Sequence, residues 1–486
     1  MSRDDSGIIK GFVSILFGKL GIIAISVFFT PIIVRILGAK LYGNYAYAIS
    51  LVSVLTLVAN FGFNDGVRKF IAEIPEKRGR AFQIHKYYLK SGLITSTILA
   101  SCLFLLTELN AELLISEKYT KYVPILCLII VSNQLFQISR YGLMGLGKEG
   151  YSESLNVLFK LGSAGIGIGL AAYGFGVSGV LAGHLLSVLP LGFVSLYVIR
   201  NSTLQDKPNL HIKRQKLLTY GIWSFALGLL TTSLYHVDVL ILGNYGPSDE
   251  LGYYKAALTV AELLWFIPHS VQTVLVHSTS AIWKEGDFDR ITNLTSKATR
   301  FTLIITLLCS IGLFILSEEF VTVYFGVDFT PTVVPLKILL PGVLFFSLSR
   351  PIFAVGQGKG DMKILVLATL SAAVLNLVLN LLLIPRLGIV GAGVATSISY
   401  GSMILFHTLA ALKMGYNPLS DIRALRTIGA GAITYFVLDN LNNLISNNIL
   451  SIMIVAVVGG VIYATLVLLF GSVSRSEVQE VFSEII

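Results

Sequence analysis

Long apolar runs separated by short charged stretches fill the chain. Fourteen such segments stand at about 11–37, 43–65, 88–107, 122–145, 152–172, 177–199, 217–242, 251–277, 298–317, 333–356, 364–384, 388–412, 425–441 and 449–470. Each comes near the roughly 20 residues that an α-helix needs to cross a bilayer at about 1.5 Å per residue. The pattern predicts an all-α polytopic membrane protein of about 14 transmembrane helices. The first run is too long for a cleavable signal peptide and lacks a small-residue exit, so it reads as a first span.

The polar punctuation repeats at an offset of about 205–212 residues. "RILGAKLYGNYAYA" (Arg35–Ala48) matches "LILGNYGPSDELGYYKAA" (Leu240–Ala257), with a four-residue insertion in the second copy. "ISRYGLMGLGKEG" (Ile138–Gly150) matches "LSRPIFAVGQGKGD" (Leu348–Asp361), and "GFGVSGVLAGHLLS" (Gly174–Ser187) matches "RLGIVGAGVATSIS" (Arg386–Ser399). Two six-helix repeats follow one another, with two C-terminal helices appended. The expected organisation is an N-terminal six-helix lobe (1–200), a charged linker (201–216), a second six-helix lobe (217–413), and two further helices with a tail (414–486). Because six is even, the repeat is parallel, related by an axis along the membrane normal.

Composition agrees. Of 486 residues, 54% are hydrophobic and 13% charged, against about 25% charged in soluble domains. The net charge of +9 would suggest nucleic acid in a soluble protein. Here its distribution gives another cause. With the N-terminus placed inside, Lys40, Lys118, Lys121, Lys255, Lys337 and Arg386 fall on the outer side, and Lys19, Arg35, Arg140, Lys160 and Arg350 within spans. The other 25 of 36 Lys and Arg fall in the tails and the inward stretches. That is the positive-inside pattern of a multi-pass protein of the cytoplasmic membrane with both termini cytoplasmic, and it removes the need for a nucleic-acid partner. Cys102, Cys127 and Cys309 lie in apolar runs and read as small core residues.

The six-six-two plan, with "RILGAKLYGNY" and "FGFNDGVRKFIAE" (Phe61–Glu73), resembles the polysaccharide flippase (Wzx-like) branch of the multidrug/oligosaccharidyl-lipid/polysaccharide exporter superfamily. The resemblance covers nearly the whole chain. It implies a monomeric transporter, active without an enzymatic cofactor, that carries lipid-linked oligosaccharide on polyprenyl pyrophosphate between leaflets. It also implies the company of glycosyltransferases and a glycan polymerase. The lipid II flippase of the same superfamily is similar in plan.

No enzyme motif stands against this. "GLMGLGKE" (Gly142–Glu149) has the spacing of a phosphate-binding loop, but Glu149 replaces the Ser or Thr that would reach magnesium. Both repeat copies read as turns after a span. The histidines are scattered, with no HExxH pair.

Charges inside spans cost about 2.5–3.5 kcal/mol each on insertion, so each is a functional candidate set against snorkelling near a helix end. Lys19 and Lys160 each lie about eight residues from the inner end of a span. They are expected at one depth, lining an inward-facing cavity and binding pyrophosphate as compact cations. Arg140 and Arg350 recur in both repeats, which suits a scaffold or gate role as well as substrate contact. Arg35 is a further candidate close to the outer surface. Lys255 and Glu262 sit seven apart on one helical face, as an ion pair or as substrate contacts, and Pro268 is expected to bend the helix just beyond them.

Asp238 in "LYHVDVLILG" lies about four residues from the outer end of the seventh span. Asn376 and Asn380 on the eleventh, and Thr396 and the Ala392 carbonyl on the twelfth, reach matching depths. One carboxylate among neutral oxygens suits a small monovalent cation. The resemblance to the lipid II flippase implies that Asp238, Asn376, Asn380 and Thr396 hold sodium. A proton on Asp238, with the asparagines as interhelical glue, is the competing account. The first-half equivalents, near Ile33, Gly165 and Gly169, lack this polar set. The reading is therefore a flippase of polyprenyl-pyrophosphate-linked oligosaccharide driven by Na+ or H+ through alternating access. The alternatives are a cation-coupled exporter of small amphiphilic drugs and a membrane scaffold of a glycan-assembly complex.

Overall fold

The computed structural model describes residues 3–73, 78–109, 116–203 and 214–474, with 476, 477 and 479; of residues 3–17, 19, 78, 214–221, 223 and 277 it describes the backbone alone. The helices in chain order are α1 (Arg3–Asn60), α2 (Phe63–Ala72), α3 (Arg78–Glu108), α4 (Glu117–Thr120), α5 (Val123–Gly145), α6 (Glu149–Leu170), α7 (Gly176–Thr203) and α8 (Arg214–Tyr245). They continue as α9 (Ser248–Glu262), α10 (Phe266–Glu285), α11 (Phe288–Ile315), α12 (Ser317–Tyr324), α13 (Val333–Lys359), α14 (Met362–Lys413), α15 (Ala424–Asn442) and α16 (Asn448–Leu469). No strand occurs among the described residues.

Among the described residues, ten helical stretches are long and apolar enough to cross a membrane. Several are longer than one crossing because glycines bend them where the sequence placed a turn. Gly38 interrupts α1 with φ 66° and ψ 171°. Gly176 joins α6 and α7 with φ 50° and ψ −131°, after a π-helical turn at Ala171–Phe175. Gly388, its repeat equivalent, interrupts α14 with φ 54° and ψ −130°. A side chain is strongly disfavoured in that backbone conformation, so both copies keep glycine. With these bends and with α15, the described helices give about fourteen spans. The two GK motifs are turns: α5 ends at Gly145 before α6 begins at Glu149, and α13 gives way to α14 after Gly360.

Packing divides the chain into two compact units, Met1–Gly252 and Tyr253–Ile486. This division differs from the repeat boundary at 217 because α8 packs on α1 and α2 inside the first unit. In that unit α5 packs on α3 and α7, α6 on α7, and α1 on α6. The short α2 buries Phe63, Val67, Phe70 and Ile71 at helical spacing in a core with Phe136, Leu155 and Ile199. In the second unit α13 is central, against α10, α11 and α14.

The glycines of the repeated "GNY" and "GYY" stretches meet within the first unit. Gly43 and Gly252 are repeat equivalents, and each faces the other's helix. A Cβ at Gly43 would collide with the Ser248 carbonyl oxygen and come within 2.9 Å of Gly252 N; one at Gly252 would collide with the Ala39 carbonyl oxygen. A collar surrounds this crossing. Tyr47 stacks on Tyr119 at 3.7 Å. The Tyr47 hydroxyl donates to Asn244 Oδ1 (3.1 Å), the Tyr119 hydroxyl to Gly243 O (3.2 Å), and Lys118 Nζ to Gly246 O (2.9 Å).

The appended α15 and α16 pack on each other and on α11, through Ile304, Ala430, Tyr463 and Val467. Their outer faces leave Phe436, Met453, Val457 and Val461 exposed, as lipid contact requires. A polar clasp holds their far end. The buried Arg300 of α11 pairs with Asp421 and Glu477, and Arg423 bonds Asp421 and the Gly471 and Ser472 carbonyls. Burial pushes the Glu477 carboxyl up, but bonds from Ser474 and Arg300 outweigh it and leave it below its usual range. A carboxylate depressed by folding contributes stability above its unfolded pKa of about 4.3, and that contribution disappears as pH falls through the folded value. Below pH 4 the Gly471–Ser474 amides are expected to exchange hydrogen faster than at pH 7, after correction for intrinsic rates. An unchanged protection factor would remove Glu477 from the clasp.

Candidate functional site

In the first unit a polar strip runs along α5 at Asn133, Gln137 and Arg140, spaced i, i+4, i+7 and so on one face. Arg140 is buried and forms an ion pair with buried Glu153 of α6, Nη1 to Oε1 at 3.2 Å. Its Nε and Nη2 donate to Gln137 Oε1 at 3.3 and 3.2 Å. The turn between α5 and α6 brings the pair together, since both residues lie the same distance from it. Arg140 is therefore tied to two protein partners and positions α5 against α6.

One turn and more deeper, His184 of α7 lies with Nε2 3.3 Å from Asn133 Oδ1. Phe159 presents its ring to His184, with centroids 5.0 Å apart, and to the exposed Lys160 ammonium at 5.7 Å. Lys160 is thus an accessible cation beside a hydrogen-bonding pair. The side chain of Lys19 lies outside the described residues, but its neighbours locate its backbone. A Cβ at Gly18 would come 2.8 Å from Glu153 Cβ, and one at Gly21 would come 3.7 Å from Val157. The two helices are parallel in that register, which sets Lys19 beside Ser154 and Lys160 beside Ala24 or Ile25. The expectation of one common depth is corrected: Lys160 stands roughly 8 Å farther along at about 1.5 Å per residue. The helices begin before the apolar runs do, by different amounts, so counting from the runs misaligned them. The lysine positions are successive rungs beside the strip.

The expected cation set divides between the units, with Asp238 in the first and Asn376, Asn380, Thr396 and Ala392 in the second. In the first, Asp238 of α8 is fully buried, its Oδ1 accepting from the Val239 N–H at 2.7 Å. His236 faces away, with Nδ1 3.0 Å from Ser50 Oγ. In the second, Asn380 Nδ2 donates to the Asn376 carbonyl at 2.9 Å. That bond orients the amide and turns Asn380 Oδ1 away from it. Asn380 Oδ1 and both amide atoms of Asn376 are buried without a hydrogen-bond partner. Thr396 and Ala392 are also buried, and both take a hydrogen bond from the Tyr254 hydroxyl, at 3.1 Å (Thr396 Oγ1) and 3.5 Å (Ala392 O). Buried amide oxygens without donors cost about 1–3 kcal/mol each, a penalty that a cation removes. A buried carboxylate needs a counter-charge or a proton. The oxygens that the second unit offers, two side-chain amides and a hydroxyl, suit a hard cation.

Arg350, buried, lies with its guanidinium 4.1 Å from the Phe346 ring centroid. Phe346 in turn packs with Trp265 (4.6 Å) and Tyr400 (4.9 Å). Lys255 and Glu262, both part-exposed, share a face of α9. The helix narrows to a 3-10 turn at Leu263–Trp265 immediately after Glu262, where Pro268 withdraws the donor for the Leu264 carbonyl. Arg35 is exposed three residues before the Gly38 break. Sequence reading missed Glu153, Gln137, Asn133, His184 and Tyr254. Glu153 had a signal, its equal distance from the turn. Gln137 had one too, three residues before Arg140 on the same helix; Asn133, His184 and Tyr254 are joined across helices by separations that leave no local spacing.

Comparison with known proteins follows the same lines. A model of the polysaccharide biosynthesis protein family matches residues 32–334. A probable low-salt glycan biosynthesis flippase of Haloferax volcanii is 24% identical over 469 residues, 95% of each chain. Among solved structures, the lipid II flippase MurJ in an inward closed conformation matches with a TM-score of 0.78 at 18% identity, over 94% of this chain and 98% of that one. An inward-facing multidrug resistance MATE family transporter matches at 0.64 and 16%, over 80% and 94%. These structural likenesses concern the fold alone. The family match spans most of the chain, and it assigns the protein: it belongs to the polysaccharide biosynthesis protein family, and is a multi-pass membrane transporter rather than an enzyme.

Proposed function

We propose that the chain translocates polyprenyl-pyrophosphate-linked oligosaccharide across the cytoplasmic membrane by cation-coupled alternating access, with both termini in the cytoplasm. The observation that carries this reading is the strip in the first unit: exposed Lys160 for a phosphate, and Asn133, Gln137 and His184 for sugar hydroxyls. Lysine is a compact partner for phosphate oxygens, and side-chain amides and imidazole offer the paired donors and acceptors that sugars require. The flippase relative, matched along 95% of its length, supports the same substrate class. On the second unit Asn376, Asn380, Thr396 and the Ala392 carbonyl would offer neutral oxygens to sodium, and on the first unit Asp238 is the carboxylate that would respond to it. Such an ion drives a conformational change only by favouring one state over the other.

The test uses the reconstituted protein, labelled polyprenyl-pyrophosphate oligosaccharide, and an imposed sodium gradient. Lys160→Ala is expected to slow flipping at least tenfold, and Asp238→Asn to abolish the response to the gradient. Full flipping by Lys160→Ala removes the phosphate role, and an intact sodium response in Asp238→Asn removes the cation role. Efflux of a cationic dye with no movement of the glycolipid would favour the drug-exporter reading, which Lys160 disfavours by charge.

A further inference from the structure

Tyr254 is fully buried in α9, and its hydroxyl sits against the two ligands that α14 offers to the cation, Thr396 Oγ1 at 3.1 Å and the Ala392 carbonyl at 3.5 Å. On the stretch of α14 before the Gly388 break, Asn376 and Asn380 keep buried amide oxygens without donors. The contrast is informative. The asparagine oxygens have no protein donor, while the threonine and alanine oxygens have one from the same side chain. A hydroxyl has one proton and two lone pairs. When Thr396 accepts the Tyr254 proton, the direction of its remaining lone pair and of its own proton is set. The Ala392 carbonyl already takes the Thr396 N–H within α14, and Tyr254 meets it as a second donor.

We propose that Tyr254 is a positioning residue for the cation site, holding the Thr396 hydroxyl and the Ala392 carbonyl so that their oxygens meet the ion. This rests on the cation reading above. Partners behind metal ligands typically change metal affinity by about 10–100-fold when removed, because they orient the ligand and raise its basicity.

The experiment measures thermal unfolding of the purified protein in detergent while sodium replaces potassium at constant ionic strength. For the natural protein, sodium is expected to raise the melting temperature with a definable half-saturating concentration. Tyr254→Phe removes one oxygen and is expected to raise that concentration at least tenfold, with the sodium-free melting temperature little changed. Thr396→Val should also weaken sodium binding, and adding Tyr254→Phe to it should weaken binding little further. A half-saturating concentration unchanged in Tyr254→Phe, or losses that add fully in the double variant, would overturn the proposal while leaving the cation reading intact. Absence of any sodium effect in the natural protein would overturn the cation reading and the proposal with it. A merely structural role for Tyr254 predicts a lower sodium-free melting temperature and an unchanged sodium requirement.

Discussion

Glu153→Ala is expected to destabilise the protein by about 3–5 kcal/mol, the range seen when one partner of a buried ion pair is removed and the other is stranded. Arg140 would keep its positive charge with only the Gln137 amide oxygen and the Ser152 hydroxyl beside it. Both members of the pair are about 8% exposed, so water cannot readily replace the carboxylate. Arg140→Ala should cost a comparable amount by stranding Glu153, which Gly18 also contacts closely. The double change Arg140→Met with Glu153→Leu should recover much of the loss, because apolar pairs of similar volume often match buried ion pairs in stability. Thermal unfolding in detergent reads all three. If Glu153→Ala melts with the natural protein, the pair is wet and Arg140 is available for substrate.

Gly43→Ala and Gly252→Ala form the second large effect. At each position the new Cβ would meet a backbone carbonyl of the other helix, not the end of a flexible side chain. Backbone cannot rotate away, so the helices must separate, and the Tyr47–Tyr119 stack and the bonds to Gly243 and Asn244 separate with them. Overpacking a core costs about 1–3 kcal/mol when side chains can yield; here the loss should reach or exceed the upper figure for either glycine. Gly165→Ala is the control, having no atom within 4 Å of a new Cβ, and should cost nothing. Equal melting of all three variants would mean the crossing is looser than described.

Spans, turns and the repeat were legible because each depends on local chemistry. Apolar runs mark helices, and glycines mark breaks such as Gly38 and Gly388. The candidate cation residues stand out in the sequence for a related reason: Asn376, Asn380 and Asp238 are conspicuous in apolar surroundings, and the internal repeat isolates them to one half. What lay beyond the sequence was everything that depends on register between helices. The Lys19 and Lys160 positions were misjudged by roughly 8 Å because a helix start is not the start of an apolar run. Asn133 with His184, and Tyr254 with Thr396, meet across 51 and 142 residues of chain. Such meetings follow from tertiary packing, and a single sequence carries no trace of them.

Gly176 and Gly388 adopt φ 50°, ψ −131° and φ 54°, ψ −130°. Inverted through a mirror, those angles become about −50° and +130°, close to the extended polyproline region that ordinary residues favour. The two bends are thus places where the backbone has the opposite handedness to its surroundings. A D-amino acid introduced there by semisynthesis would suit the backbone where its L-counterpart is strained. Two such positions, some 212 residues apart, keep a shared chirality after most of the side chains around them have diverged.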